Sequence, residues 1–152
     1  MIVSARHCGL VAAAIATAAL FAALYFQHVL GYQPCQMCLW QRWAYYIGVP
    51  LLLIAAFTGS RGLLLIAAII FAANATLGLY HSGVEWDLWQ GPATCGAGAD
   101  LSGSGDLMAD LQSVRVVPCD EAPWRFVGLS FAGWSMIVCT VVAAISFAGA
   151  RR

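Results

Sequence analysis

The sequence predicts an all-α membrane protein, a bundle of four transmembrane helices joined by one short and one long outer loop, and three observations carry that prediction. Of 152 residues, 62% are hydrophobic and only 9% are charged, whereas a soluble domain covers its surface with about a quarter charged residues. Residues 9–26, 43–60, 62–80 and 126–150 contain no Asp, Glu, Lys or Arg, and each run approaches or exceeds the roughly 20 residues that cross a bilayer. The acidic residues are segregated: all seven, Glu85, Asp87, Asp100, Asp106, Asp110, Asp120 and Glu121, fall between the third and fourth runs.

Taken in order, the spans cover about residues 9–30, 41–59, 62–81 and 126–149, with outer loops at about 31–40 and 82–125, all in one domain of residues 1–152. The first run has a rival reading as a cleaved signal peptide, because Arg6 precedes it and Ala16-Thr17-Ala18 resembles a small-residue cleavage site. The apolar run continues through Leu20, Phe21, Leu24 and Phe26, which is longer than the apolar core of a signal peptide, and it is read as an uncleaved span. Alternation of four spans puts Arg6, Arg61, Arg151 and Arg152 on one face and Arg42, Arg115 and Arg125 on the other. Arginine excess marks the cytoplasmic side, so both termini are expected there.

The outer ends of the spans carry Trp40, Trp43, Trp86, Trp89 and Trp124, the interfacial positions in which an indole buries its ring and keeps its N–H wet. Pro50 and Asn74 lie inside spans and read as a tolerated kink and an interhelical hydrogen bond. The long loop opens on Glu85-Trp86-Asp87-Leu88-Trp89, suited to lie along the membrane surface. Gly91, Gly96, Gly98, Gly103 and Gly105 then surround Cys95 with a backbone that has little to hold it still. From Asp106 to Gln112, Leu107, Met108 and Leu111 share one helical face. No basic stretch suits a nucleic acid.

Chemistry is concentrated in the cysteines. Cys8 and Cys139 fall in or at the ends of spans and read as small buried hydrophobes. Cys35, Cys38, Cys95 and Cys119 fall in the outer loops, where exposed thiols in an oxidising compartment rarely stay reduced. Four cysteines permit three pairings, among which sequence alone does not choose. Spacing favours Cys35 with Cys38, a C-x-x-C after Pro34 of the kind found in redox-active dithiols, leaving Cys95 and Cys119 for a second bridge. A bridge between residues three apart closes almost no loop and makes a poor staple. Metal binding wants four convergent ligands, and His81 is one candidate only; haem attachment is disfavoured because Leu39 follows Cys38. A second helix that begins near Cys38 favours a thiolate there, with Arg42 one turn later on the same face. His81, at the outer end of the third span, is a hydrogen-bond donor at the same depth.

Together, Pro34-Cys35-Gln36-Met37-Cys38 with Arg42, Tyr80-His81-Ser82-Gly83-Val84-Glu85-Trp86, Cys95, Val117-Pro118-Cys119-Asp120 and Trp124-Arg125-Phe126 resemble the DsbB family of the bacterial inner membrane. That family regenerates a periplasmic disulfide donor by reducing quinone. The resemblance covers nearly the whole chain. It implies that Cys95 forms a mixed disulfide with a DsbA-like thioredoxin-fold partner, that Cys119 is its bridging mate, and that a Cys35–Cys119 link frees Cys38 as a thiolate facing the quinone, ubiquinone or menaquinone. It further implies that Arg42 stabilises the thiolate and the developing quinone anion while His81 lines the pocket. No metal is implied.

Two other readings stay open on sequence. The vitamin K epoxide reductase type also joins a C-x-x-C to a quinone in a small bundle, but its reactive pair lies late in the chain, whereas here Cys139 in the last span has no close mate. A membrane scaffold whose two outer disulfides merely hold the long loop is the non-enzymatic alternative.

Overall fold

The computed structural model describes residues 4–92, 95 and 118–151. Among these residues four helices form, α1 (Ala5–His28), α2 (Gln36–Thr58), α3 (Arg61–Val84) and α4 (Phe131–Arg151), with a two-stranded hairpin, β1 (Arg125–Phe126) and β2 (Leu129–Ser130), leading into α4. Each of the first three helices starts where a side chain can accept an otherwise unpaired amide. Ser4 accepts from His7, Cys35 from Cys38 and Ser60 from Leu63. At the other end of α2, Gly59 adopts the left-handed conformation, φ 71°, and its N–H reaches Ala55 O. Arg6 at the start of α1 packs over that same Gly59 turn, so α1 and α2 run in opposite directions and the basic ends gather together.

The faces that meet follow helical spacing. Met37, Gln41, Tyr45, Gly48, Leu52 and Ala55 form the buried stripe of α2, and Leu64, Ala67, Phe71, Asn74, Gly78 and His81 that of α3. The opposite faces stay apolar and exposed, with Phe57 at 75% and Phe21 at 66% of full exposure. Water would not tolerate such a girdle, and lipid does.

Helices α1, α3 and α4 are each long and apolar enough to cross a membrane. Among the described residues there are thus three such helices, one fewer than the four spans expected. Helix α2 is 23 residues long, but Gln36, Gln41, Arg42, Tyr45 and Tyr46 dilute its N-terminal half. The fourth span is expected from about residue 126; the helix itself begins at Phe131, after residues 125–130 pair as the hairpin. Its turn places Val127 and Gly128 at positive φ, 52° and 79°, as two-residue hairpin turns require. The amphipathic segment expected at 106–112 lies outside the described residues, as does the glycine-rich stretch after Cys95.

Small residues set the helix separation, as they do wherever membrane helices lack a hydrophobic drive to associate. At Gly48 a Cβ would lie 2.5 Å from Phe71 Cε2. Phe71 has no room to swing away, since it is fully buried and its ring meets Tyr45 edge-on at 5.5 Å. Polar atoms tie the same layer: Asn74 Nδ2 donates to Cys139 Sγ at 3.2 Å, and Tyr45 Oη lies 3.1 Å from that sulfur and 3.3 Å from Ser135 Oγ. Asn74 thus makes the expected interhelical bond, and Cys139 serves as an acceptor in the core.

Gly48→Ala should cost about 1–3 kcal/mol by overpacking. This would read as a lower midpoint when helicity is followed by circular dichroism through an SDS titration, and an unchanged midpoint would contradict the close approach of α2 to α3.

Candidate redox site

Cys35 stands at the N-cap of α2, with φ −72° and ψ 170°. An N-cap side chain normally offers oxygen to the first free amides; here Cys35 Sγ accepts from the Cys38 amide at 3.2 Å. One helical turn brings the Cys38 sulfur round to 2.8 Å from the Cys35 sulfur. Both are free thiols, Cys35 buried and Cys38 partly exposed. The third neighbour comes from the C-terminal end of α3: His81 Nε2 lies 3.5 Å from Cys35 Sγ. Gln41, one face along α2, holds the other ring nitrogen, Nδ1, at 2.8 Å, and a bond at one imidazole nitrogen fixes which proton the other presents.

Cys95 and Cys119 are joined by a disulfide. Cys35, Met37, Cys95 and Cys119 form one buried cluster, against which Cys38 and Leu77 pack. The structure therefore brings all four outer cysteines together. Cys95 is 7% exposed, buried within that cluster.

A cavity of about 400 Å³ opens beside the thiols, lined by Cys35, Cys38, Gln41, Arg42, Tyr45 and His81, with Ala19, Ala23 and Phe26 of α1 and Phe131, Trp134 and Val138 of α4 around them. It falls within the usual range for small-molecule sites, which are mostly apolar with a few placed polar groups. Arg42 Nη1 donates to Gln27 Oε1 of α1, which holds the guanidinium at the wall. Cys35, Cys38 and His81 also present three soft donor atoms within 4.8 Å of one another, a convergence the sequence did not reveal. A closed zinc site takes four, and among the described residues no other Cys or His joins them.

Two residues of the site escaped sequence reasoning. Gln41 is polar inside an otherwise apolar stretch, itself a flag of function in a membrane helix. Glu85 follows His81 by four residues, the spacing that puts two side chains on one helical face. Its carboxylate lies 3.9 Å from His81 Nε2 and accepts the Ser130 hydroxyl, while Arg125 donates to its main-chain oxygen at 3.1 Å. Ser130 Oγ in turn accepts the Gly133 amide, so one hydroxyl both caps α4 and ties it to the end of α3. Trp89 folds back on α3, its indole donating to Tyr80 O at 2.8 Å. Gly83 leaves the space, for a Cβ there would fall 2.0 Å from the indole.

The electrostatics single out Cys35. Its pKa is lowered from 9.0 to about 5, first by the Cys38 thiol and further by His81 and the Cys38 amide, against burial, which raises it. The expectation that Cys38 is the thiolate presumed a helix beginning near Cys38; α2 begins at Gln36, so its first amides point at Cys35. Burial pushes the Glu85 carboxyl above its usual range, with the Ser130 hydroxyl as the main opposing influence.

In reduced protein, iodoacetamide labelling read by peptide mass spectrometry should therefore modify Cys35 before Cys38 at pH 6–7, with half-maximal rate near pH 5. Below that midpoint the rate should fall about tenfold per pH unit as the thiolate fraction falls. His81→Ala should move the midpoint upward, and faster labelling of Cys38 at pH 6 would contradict the assignment.

The profile of the family described as "Disulfide bond formation protein DsbB" matches residues 5–149. Disulfide bond formation protein B of Aromatoleum aromaticum is 33% identical over 127 residues, 79% of this chain and 76% of the relative. The protein of the same name from Albidiferax ferrireducens is 28% identical over 133 residues, 82% of this chain and 75% of the relative, and that from Pasteurella multocida 33% over 129 residues, 76% and 68%. No solved structure matches the chain. The family match runs from the first helix to the last, and the chain belongs to the DsbB family, membrane oxidoreductases of disulfide bond formation.

Proposed function

We propose that the protein reoxidises a DsbA-like, thioredoxin-fold donor in the bacterial periplasm and passes the electrons through its two cysteine pairs to a membrane quinone. The observation that carries this reading is the packing of both pairs into one cluster at the edge of a largely apolar cavity. In this reading α2 is the fourth span, both termini face the cytoplasm, and the cysteines face the periplasm. The gathering of Arg6 with the α2–α3 turn supports that orientation.

The chemistry is thiol and disulfide exchange throughout. A donor thiolate attacks Cys95 and displaces Cys119; the donor's second thiol then resolves the mixed disulfide, and the donor leaves oxidised. Cys119 next attacks Cys35 in the closed inner pair, which releases Cys38. In the open dithiol Cys35 is the acidic sulfur, but once Cys35 is bonded to Cys119 the sulfur left as thiolate is Cys38. The two assignments belong to two states of one cycle.

The cavity fits a quinone by its donor set: an apolar wall for the ring, with Arg42 and His81 to hold carbonyl oxygens and Cys38 to face it. A quinone supplies a two-electron, two-proton acceptor there. Gln27 aims the Arg42 guanidinium and Gln41 sets the His81 ring, so neither donor has to reorganise as charge develops.

With a reduced thioredoxin-like donor and quinone absorbance as the readout, Cys38→Ser should abolish turnover. Cys95→Ser should lose oxidation of the protein donor yet still reduce quinone when a small dithiol supplies electrons, and equal loss with both donors would contradict the division of labour between the pairs. Arg42→Ala should raise the quinone KM about tenfold or more, the loss of one hydrogen bond to a charged group; an unchanged KM and kcat would remove Arg42 from the acceptor site.

A further inference from the structure

Oxidising the Cys35–Cys38 pair makes one S–S bond from two thiols, delivers two electrons to the acceptor, and leaves two protons to be carried to it. The Cys35 thiol does not open on bulk water, since it is 5% exposed, so its proton needs a carrier inside the protein. One carboxyl stands beside the pair: His81 Nε2, whose N–H is set by the Gln41 amide at Nδ1, faces Cys35 Sγ at 3.5 Å on one side and Glu85 Oε1 at 3.9 Å on the other. We propose that Glu85 is the proton acceptor of the pair: reduction leaves Cys35 a thiolate and a proton on Glu85, with the His81 Nε2–H between them, and Glu85, which lines the cavity, gives that proton to the reduced acceptor when the disulfide closes.

The surroundings of Glu85 suit a carboxyl that changes its protonation. It is buried at 8% exposure, and Arg125, the cation of the neighbouring hairpin, is directed at its main-chain oxygen and the Trp86 ring. The titratable groups that face it are His81 on its own helix, Cys35 and Cys38 from the start of α2, and Arg125; Glu121 lines the same cavity. Desolvation raises its pKa, and an ionised Cys35 raises it further, so reduction of the pair favours a proton on Glu85 and closure of the pair releases it. The second proton is that of Cys38.

Only the destination of the proton rests on the quinone reading, and the test separates the two. Infrared difference spectra between the disulfide and dithiol forms of the full-length protein, reduced chemically with no quinone present, should show a protonated-carboxyl band on reduction. That band should shift in D₂O and vanish in Glu85→Gln, whose amide oxygen can still accept the Ser130 hydroxyl. Quinone reduction by Glu85→Gln should fall about a hundredfold, the usual weight of one proton-transfer group, with quinone KM unchanged, and Glu85→Asp should recover part of it. A band that survives in Glu85→Gln, or no band at all, overturns the assignment, as does a variant with the turnover and pH profile of the parent. If the parent shows the band but reduces no quinone, Glu85 keeps its role and the proposed acceptor falls.

Discussion

A helix N-terminus leaves amides that need an acceptor, and in this protein the acceptor on α2 is the sulfur of Cys35. Much of the site follows from that one bond. A sulfur used as the cap is held at a fixed point, one turn of helix returns the Cys38 sulfur to its side, and the positive end of the helix favours its ionised form. The cap also makes the start of α2 sensitive to redox state, because any disulfide formed by Cys35 alters the acceptor that the amides see. What a serine or aspartate does elsewhere for stability alone is done here by the reactive atom itself.

The bundle serves to hold His81 opposite that sulfur. Glycine at position 48 lets Phe71 nest against α2, and the Tyr45, Asn74, Cys139 and Ser135 contacts lock α2, α3 and α4 in one layer. Individual interhelical hydrogen bonds in membranes contribute little, on average about 0.6 kcal/mol, so their importance here is register more than strength. A slip of one residue in α3 would turn His81 from Cys35 and bring in Tyr80 or Ser82, neither of which offers an imidazole. At the end of α3, Glu85 and Ser130 join the last turn to the first turn of α4 and close that end of the site.

Much of this was legible in the sequence, because the physical signals there are strong. Charge-free runs mark apolar helices without any knowledge of packing, and a C-x-x-C beside an apolar run with a nearby Arg points to redox chemistry by spacing alone. The remainder depends on register and on contacts between distant segments. That Cys35 caps α2 turns on where the helix starts, and a shift of two or three residues moved the expected thiolate to Cys38. Glu85 reads as an acid at the headgroup level until α3 is seen to run on to Val84 and Ser130 to cover the carboxylate. The hairpin at 125–130 has strands of two residues each, too short for any alternation to register. Gln41 was hidden by its neighbours, since beside Arg42 it looked like part of a polar helix end.

The central claim is that the Cys35–Cys38 pair hands its electrons directly to an acceptor in the adjoining cavity. Its most direct test is a single turnover of the pre-reduced protein in lipid nanodiscs with one equivalent of quinone, stopped by acid and mapped for disulfides by mass spectrometry. The account predicts one Cys35–Cys38 disulfide formed for each quinol produced, in a protein whose Cys95 and Cys119 are both replaced by serine. Quinol formed without that disulfide, or a pair that stays reduced in the presence of quinone, would contradict it.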